Sequence, residues 1–181
     1  MQGAVRLIPR TRAARAQGSS VVEVLVAIVV LSVAIVGAAG LQIQALKYGQ
    51  VSQQRSLAAQ QAQAIAERMR ANLAAASLDP SPYVFDFAYA NIPSQLPVNA
   101  PACTTPCTPQ EMASRHLLDW GNQLAAVLVG GRGTVTRAAA GSPYVVTVMW
   151  VEKELVAEQR SPRCPASAPA EVQCVTFMFQ P

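Results

Sequence analysis

Residues 18–47 read GSSVVEVLVAIVVLSVAIVGAAGLQIQALK. Between Glu23 and Lys47 stand 23 consecutive uncharged residues, mostly Val, Leu, Ile and Ala. As a helix they rise ~35 Å, enough to cross a bilayer core of ~30 Å. Arg6, Arg10, Arg12 and Arg15 precede the run and only Lys47 follows it closely. The basic side stays in the cytoplasm, so the sequence predicts a single-pass segment with the C-terminal part facing outward. Glu23 is the odd residue, two positions after the apolar run begins at Val21. A membrane-embedded carboxylate costs on the order of 2.5–3.5 kcal/mol near the bilayer centre and less at the interface. Two readings follow. Either Glu23 has a partner, or it lies at headgroup level as a first-turn acid favoured by the helix dipole.

Composition sharpens this division. Of the 181 residues, 51% are hydrophobic and 13% charged, a low share of charge for a soluble domain. The formal charge of +4 arises wholly from the four arginines before Gly18. Subtracting them from the 14 Lys and Arg leaves ten, against ten Asp and Glu, so residues 19–181 carry no net charge. That removes the compositional reason to expect nucleic acid as a partner.

Beyond the apolar run, residues 51–76 hold neither proline nor glycine. Ala58, Ala62, Ile65, Ala66, Met69, Leu73 and Ala76 recur at helical spacing, with Gln and charged residues on the other faces. The pattern predicts one helix from about Val21 to Ala76, ~84 Å long, with Gly37, Gly40 and Gly49 as soft points. Asp79-Pro80-Ser81-Pro82 ends it. Residues 77–110 contain seven prolines and read as an irregular excursion. Within it Tyr83, Phe85, Phe87 and Tyr89 alternate like a short edge strand. Thr108-Pro109-Gln110-Glu111 is a capping box. It opens a second helix to about Val129, with Ala113, Leu117, Trp120, Leu124 and Val127 on one face and Gly130-Gly131 as the stop. Strands are expected at Thr134–Arg137, Tyr144–Glu152 and Val172–Phe179, with Trp120 and Trp150 at core positions. Helix, helix, then strands is an α+β order with a small antiparallel sheet.

Four cysteines, Cys103, Cys107, Cys164 and Cys174, all follow the apolar segment. An even number on one side of a membrane suggests disulfides. Three pairings are open, of which Cys103–Cys107 with Cys164–Cys174 is the simplest. Zinc on Cys-x3-Cys is the rival, but the sole histidine, His116, stands nine residues past Cys107, off the usual finger spacing. His116, flanked by Arg115 and Asp119, is expected in a solvated or capping role. Gly130-Gly131-Arg132-Gly133-Thr134 lacks the lysine of a phosphate loop. No enzyme, metal site or cofactor is expected.

The stretch Gly18-Ser19-Ser20-Val21-Val22-Glu23-Val24-Leu25 resembles the class III signal of type IV prepilins: basic leader, glycine, glutamate as the fifth mature residue, then an apolar run. The family usually starts its mature chain with phenylalanine, where this chain has Ser19. Further stretches resemble minor pilins of the type IV pilus modification protein PilV family. They are Cys103-Thr-Thr-Pro-Cys107-Thr-Pro-Gln-Glu-Met-Ala, Asp119-Trp120, Gly130-Gly131-Arg132-Gly133-Thr134-Val135, Val148-Met149-Trp150 and Cys174-Val175-Thr176-Phe177. The resemblance implies a pilin-like fold and a leader, 1–18, cut by a prepilin peptidase between Gly18 and Ser19. It implies N-methylation at Ser19, pairing of Glu23 during assembly, a membrane half at 19–50 and a globular part at 51–181. It also implies partners: other minor and major pilins, the assembly platform, and the inner membrane before display on the cell surface. A pseudopilin of a type II secretion system would share this N-terminus, and a membrane-anchored exoplasmic binding domain would keep residues 1–18. An ordinary secretory signal with a cleavage site at Gly37-Ala38-Ala39 is the remaining alternative.

These alternatives differ in mass. Intact-mass measurement of the protein from native membranes should find a chain beginning at Ser19, and Gly18→Leu should leave a membrane-held precursor. A chain beginning at Met1 or Gly40 would contradict this reading.

Overall fold

The computed structural model describes residues 20–92, 100, 106–152 and 160–181. The chain divides into two compact units, 1–46 and 47–181. In the first, the described structure is helix alone. The long helix α1, Val21–Ala71, begins there and supplies the opening element of the second unit.

The second unit is α+β. After α1 come a single turn α2 (Leu73–Ala76), a 3-10 turn at Tyr89–Asn91, and helix α3 (Pro109–Val127). Three strands follow: β1 (Arg132–Arg137), β2 (Tyr144–Val151) and β3 (Val172–Phe179). They form one antiparallel sheet in the order β1-β2-β3, each pairing with its sequence neighbour. The register places Arg132 opposite Met149 and Tyr144 opposite Phe179.

The core explains the alanines of α1. Ala58, Ala62, Ile65, Ala66 and Met69 are buried and share one cluster with Val146, Val148 and Trp150 of β2 and with Leu117, Trp120 and Leu124 of α3. Small side chains let the helix backbone approach its neighbours, while Ile65 and Met69 supply bulk. Burying each of those two contributes about 1.5–3 kcal/mol. Two expected members of the stripes fall outside the core: Leu73 is 49% exposed and Val127 42%. Leu73 opens α2, after the helix has broken at Asn72, and Val127 is the last residue of α3, so neither continues the face that precedes it.

The break at Asn72 corrects the expectation of one helix to Ala76. Asn72 has φ −126° and ψ 55°, and its Nδ2 donates to Pro109 O at 2.8 Å. That bond fixes the side chain against the start of α3 at the residue where the helix breaks. The chain beyond is fastened by Arg137 and Tyr144. Tyr144 Oη donates to Ala76 O (2.6 Å), and Arg137 donates to Ala76 O (3.1 Å) and Leu78 O (2.6 Å). These donors satisfy carbonyls left without partners where the helix stops, and a cation there also suits the helix dipole.

Helix α3 starts as its capping box requires. Thr108 N donates to Glu111 Oε2 (2.8 Å), and Glu111 N donates to Thr108 Oγ1 (3.2 Å). The carboxylate accepts from Thr108 N and also from Thr108 Oγ1 (2.9 Å), and these two bonds, the backbone one foremost, hold the Glu111 carboxyl below its usual range. At the other end Gly130 has φ 61°, the left-handed conformation that glycine accepts freely. The alternating aromatics make less strand than expected. Phe85 alone bridges β1, exchanging both backbone bonds with Val135 (2.7 and 2.8 Å), and Tyr89 has turned into the 3-10 segment. Its hydroxyl donates to Gly130 O at 2.7 Å, which draws it out of the strand direction.

Gly133 fixes how α3 meets β1. A Cβ there would overlap the six-membered ring of Trp120 and the Leu124 side chain. Gly133→Ala should therefore destabilise the protein by about 1–3 kcal/mol through overpacking. The loss should shrink in a Trp120→Leu background, whereas Gly37→Ala, whose Cβ meets nothing, should leave the melting temperature unchanged. A thermal-denaturation double-mutant cycle checks all three.

Candidate functional site: an apolar helix surface opened by one carboxylate

The residues singled out in the sequence fall into three groups. Gly18 and Ser19 lie outside the described residues, and description begins at Ser20. Glu23 is described. It is the acidic residue in the first turn of α1, where the helix dipole favours a negative charge. Downstream, every residue from Val24 to Leu46 is exposed, including Leu25, Ile28, Val33, Ile35, Leu41 and Leu46. Among the described residues α1 is the one helix long and apolar enough to cross a membrane, and none of its apolar window is buried inside the protein. An apolar surface this long and continuous calls for a non-aqueous partner. It fits a single-pass membrane anchor.

Glycines mark this segment differently from the rest of the chain. Gly37, Gly40 and Gly49 lie within the uninterrupted α1, and a Cβ at any of them would meet nothing within 4 Å. No contact among the described residues explains them.

The cysteines form the second group. Cys164 and Cys174 are joined, with Cα atoms 5.3 Å apart. This is the expected pairing, and it excludes both cross-pairing and metal ligation at those two sulfurs. Cys107 is also disulfide-bonded. Cys103, its expected partner, lies outside the described residues. The Cys164–Cys174 bridge closes the connection leading into β3, and Arg160 organises the same segment. Its guanidinium donates to Val172 O (3.3 Å), Pro165 O (3.4 Å) and Ala168 O (3.0 Å). Three carbonyls converging on one guanidinium were not legible in the sequence, since Arg160 stands in a Pro- and Ser-rich stretch without periodicity.

His116 belongs to neither group, and the structure corrects its expected solvated role. It is half-buried in α3, with Nδ1 2.7 Å from Tyr83 Oη, while its backbone carbonyl accepts from Arg68 Nη1 at 3.3 Å. Burial, and then the Arg68 charge, press its pKa below the ordinary histidine value, with Asp119 acting the other way. Tyr83 is fully buried, and desolvation raises its pKa. The geometry is that of a structural hydrogen-bond chain.

Residues 47–181 also carry concavities. One, of about 230 Å³, lies between α3 and β1, lined by Phe85, Ile92, Trp120, Ala125 and Arg132. Another, of about 260 Å³, is lined by Arg55, Trp150, Ser161, Gln173 and Val175. Arg55 reaches Glu152 Oε1 at 3.5 Å, too long for a strong ion pair. The sequence matches no protein-family model, and no significant similarity to a curated protein or a solved structure is found.

Removing the Cys164–Cys174 bridge tests what the closed segment contributes. With ten residues of separation, loop closure gives about 2–3 kcal/mol. Cys164→Ser with Cys174→Ser should lower stability by that amount, and peptide mapping of unreduced wild-type protein should recover a peptide joining the two positions.

Proposed function

We propose that this chain is a minor pilin, a low-abundance subunit of a type IV pilus. It is held in the inner membrane by α1 with residues 51–181 on the periplasmic side, and then drawn into the filament where assembly starts. The observation that supports this most is the pairing of two features in one helix. An apolar surface exposed on every side runs from Val24 to Leu46, and a single carboxylate, Glu23, stands at its front.

A carboxylate in that place is costly in lipid and costly again when the helix is packed among other helices. Cleavage after Gly18 by a prepilin peptidase offers the compensation, because it creates an amine at Ser19. Glu23 is then the fifth residue of the mature chain. Its carboxylate accepts a charge-assisted hydrogen bond from the Ser19 amine of a neighbouring subunit, which reduces the cost of burying either charge. Methylation of the amine retains its positive charge. The same cut removes Arg6, Arg10, Arg12 and Arg15, so the basic anchor on the cytoplasmic side is lost as the assembling end is made. Other minor and major pilins and the assembly platform are the partners this requires.

Glu23 lies in the first unit, and the buried core of residues 47–181 begins at Ala58. Glu23→Ala should therefore leave that unit's melting temperature unchanged while strongly reducing recovery of the subunit in sheared filaments. Removing one partner of a buried ion pair typically costs about 3–5 kcal/mol. Normal incorporation of the variant would contradict the reading. Crosslinking followed by identification of co-purifying subunits separates a pilus from a type II secretion pseudopilus.

A further inference from the structure

Asn72, Tyr83 and His116 form a chain in which every hydrogen can be assigned. Asn72 Nδ2 lies 2.8 Å from Pro109 O and 3.1 Å from Tyr83 Oη. A backbone carbonyl only accepts, so the atom facing it must be the amide nitrogen. An amide nitrogen carries two hydrogens and no acceptor site, and both hydrogens are used here. Tyr83 Oη therefore accepts from Asn72. Among the described residues its one other partner is His116 Nδ1, 2.7 Å away, so its own hydrogen is assigned to that bond. Nδ1 must then present a bare lone pair, and the ring is neutral with its proton on Nε2.

A second observation concerns what this chain fastens. Asn72 is the break between α1 and α2, and Pro109 is the first residue of α3. Arg68 of α1 donates to His116 O (3.3 Å) and to Gln123 Oε1 (3.2 Å) on α3. These polar contacts tie the first four turns of α3 to the end of α1, beside the Trp120 Nε1 bond to Gln61 O (3.0 Å) and the apolar contacts of Leu117 and Trp120. The charged groups near the ring are Arg68 from α1 and, on α3 itself, Arg115 and Asp119. Asp119 is bound to Arg115 at 3.1 Å, which limits what it can offer an imidazolium.

We propose that the Asn72–Tyr83–His116 chain is a proton-sensitive latch, closed while the ring is neutral and opened when Nδ1 takes up a proton, freeing the first half of α3 from the end of α1. A proton on Nδ1 points at the Tyr83 hydroxyl hydrogen. The phenol must then turn that hydrogen away, yet Tyr83 is fully buried and, among the described residues, its Oη meets only Asn72 Nδ2 and His116 Nδ1. The imidazolium also adds a second positive charge beside Arg68. Both effects favour separation of α3 from α1. The sign follows from linkage. The closed state holds the neutral ring, so the open state binds the proton first as pH falls below the ordinary histidine pKa of about 6.5. The latch is strongest above that value and weakens below it, until the closed state's own, lower pKa is passed. Opening would make the α1 face carrying Arg68 available to partners at acid pH. The inference concerns residues 47–181 and does not depend on the filament reading.

The test uses the full chain in detergent micelles, where one histidine gives one titrating ring. Nitrogen-15 shifts of the ring at neutral pH should report the Nε2–H tautomer, and the titration midpoint should lie below about 6.5. Protection factors of α3 amides, relative to those of β2, should fall across the same window by up to about tenfold per pH unit, the slope of a single proton. Tyr83→Phe removes the donor to Nδ1 and should move the midpoint up towards the ordinary value. His116→Gln retains an acceptor for Tyr83 but does not titrate, so it should keep α3 protected and abolish the pH dependence. An Nδ1–H tautomer, a midpoint at or above about 6.5, or α3 protection that is flat across the window would each overturn the latch. So would a His116→Gln protein that keeps the wild-type pH dependence.

Discussion

One helix has to satisfy two kinds of surroundings. Over Val24–Leu46 α1 is apolar on every face, whereas from Ala58 onward it presents one buried stripe and polar residues elsewhere. The stripe can afford no bulk where the sheet and α3 approach, hence Ala58, Ala62 and Ala66, with Ile65 and Met69 filling what remains. The rest of the unit follows from that surface. Trp120 of α3 reaches the helix closely enough to donate its Nε1–H to Gln61 O at 3.0 Å, a bond to a mid-helix carbonyl. β2 places Val146, Val148 and Trp150 in the same cluster. Gly133 then becomes obligatory, because the Trp120 ring occupies the space a side chain would need.

Close packing against a helix leaves its end to be resolved, and arginines resolve it. Arg137, with its side chain 5% exposed, serves Ala76 O and Leu78 O while its guanidinium stacks over Tyr144. Arg68 serves α3, and Arg160 gathers the carbonyls of the segment before β3. Each links segments that no regular ladder joins. A planar fork with several donors suits that work better than an ammonium would, so Lys in place of Arg137 or Arg160 is not a conservative change. The same logic explains how a unit with one small sheet and many connecting residues keeps its buried carbonyls bonded.

What was legible in the sequence was what local chemistry decides. β3 runs over Val172–Phe179 as expected, β2 ends one residue earlier than expected, and the Thr108 box starts α3 where it should. The Cys164–Cys174 pairing followed from proximity in the chain. What escaped depends on partners far away in sequence. Nothing around Asn72 announces a helix break, and the contact its side chain makes there is with Pro109 O, 37 positions on. His116 looked solvated because its neighbours are charged, yet the deciding contact is Tyr83 in the proline-rich excursion. β1 begins at Arg132, two residues earlier than its β-branched residues suggest, because pairing with Met149 and Val148 overrides the poor strand propensity of Gly133. The candidate site divides similarly. The apolar run and Glu23 were plain from composition, whereas the role of the first eighteen residues rests on resemblance.

Electrostatics ties the two halves of the molecule together on the proposed reading. Residues 19–181 balance ten basic against ten acidic side chains, and the surplus of +4 belongs to residues 1–18. A precursor so charged holds its orientation in the membrane by its N-terminal end, and a subunit relieved of it has no such tether. What the proposed cut would leave at that end is the Glu23 carboxylate and an amine on Ser19, four positions before it in the chain. On the proposed reading, pairing between chains would place each new subunit at a fixed step along its predecessor. An aspartate at position 23, one methylene shorter, would keep the charge and lose reach, so it separates the need for a negative charge from the need for contact. If contact governs, Glu23→Asp should incorporate poorly, closer to Glu23→Ala than to wild type, in the same filament-recovery measurement. If charge alone governs, it should behave as wild type.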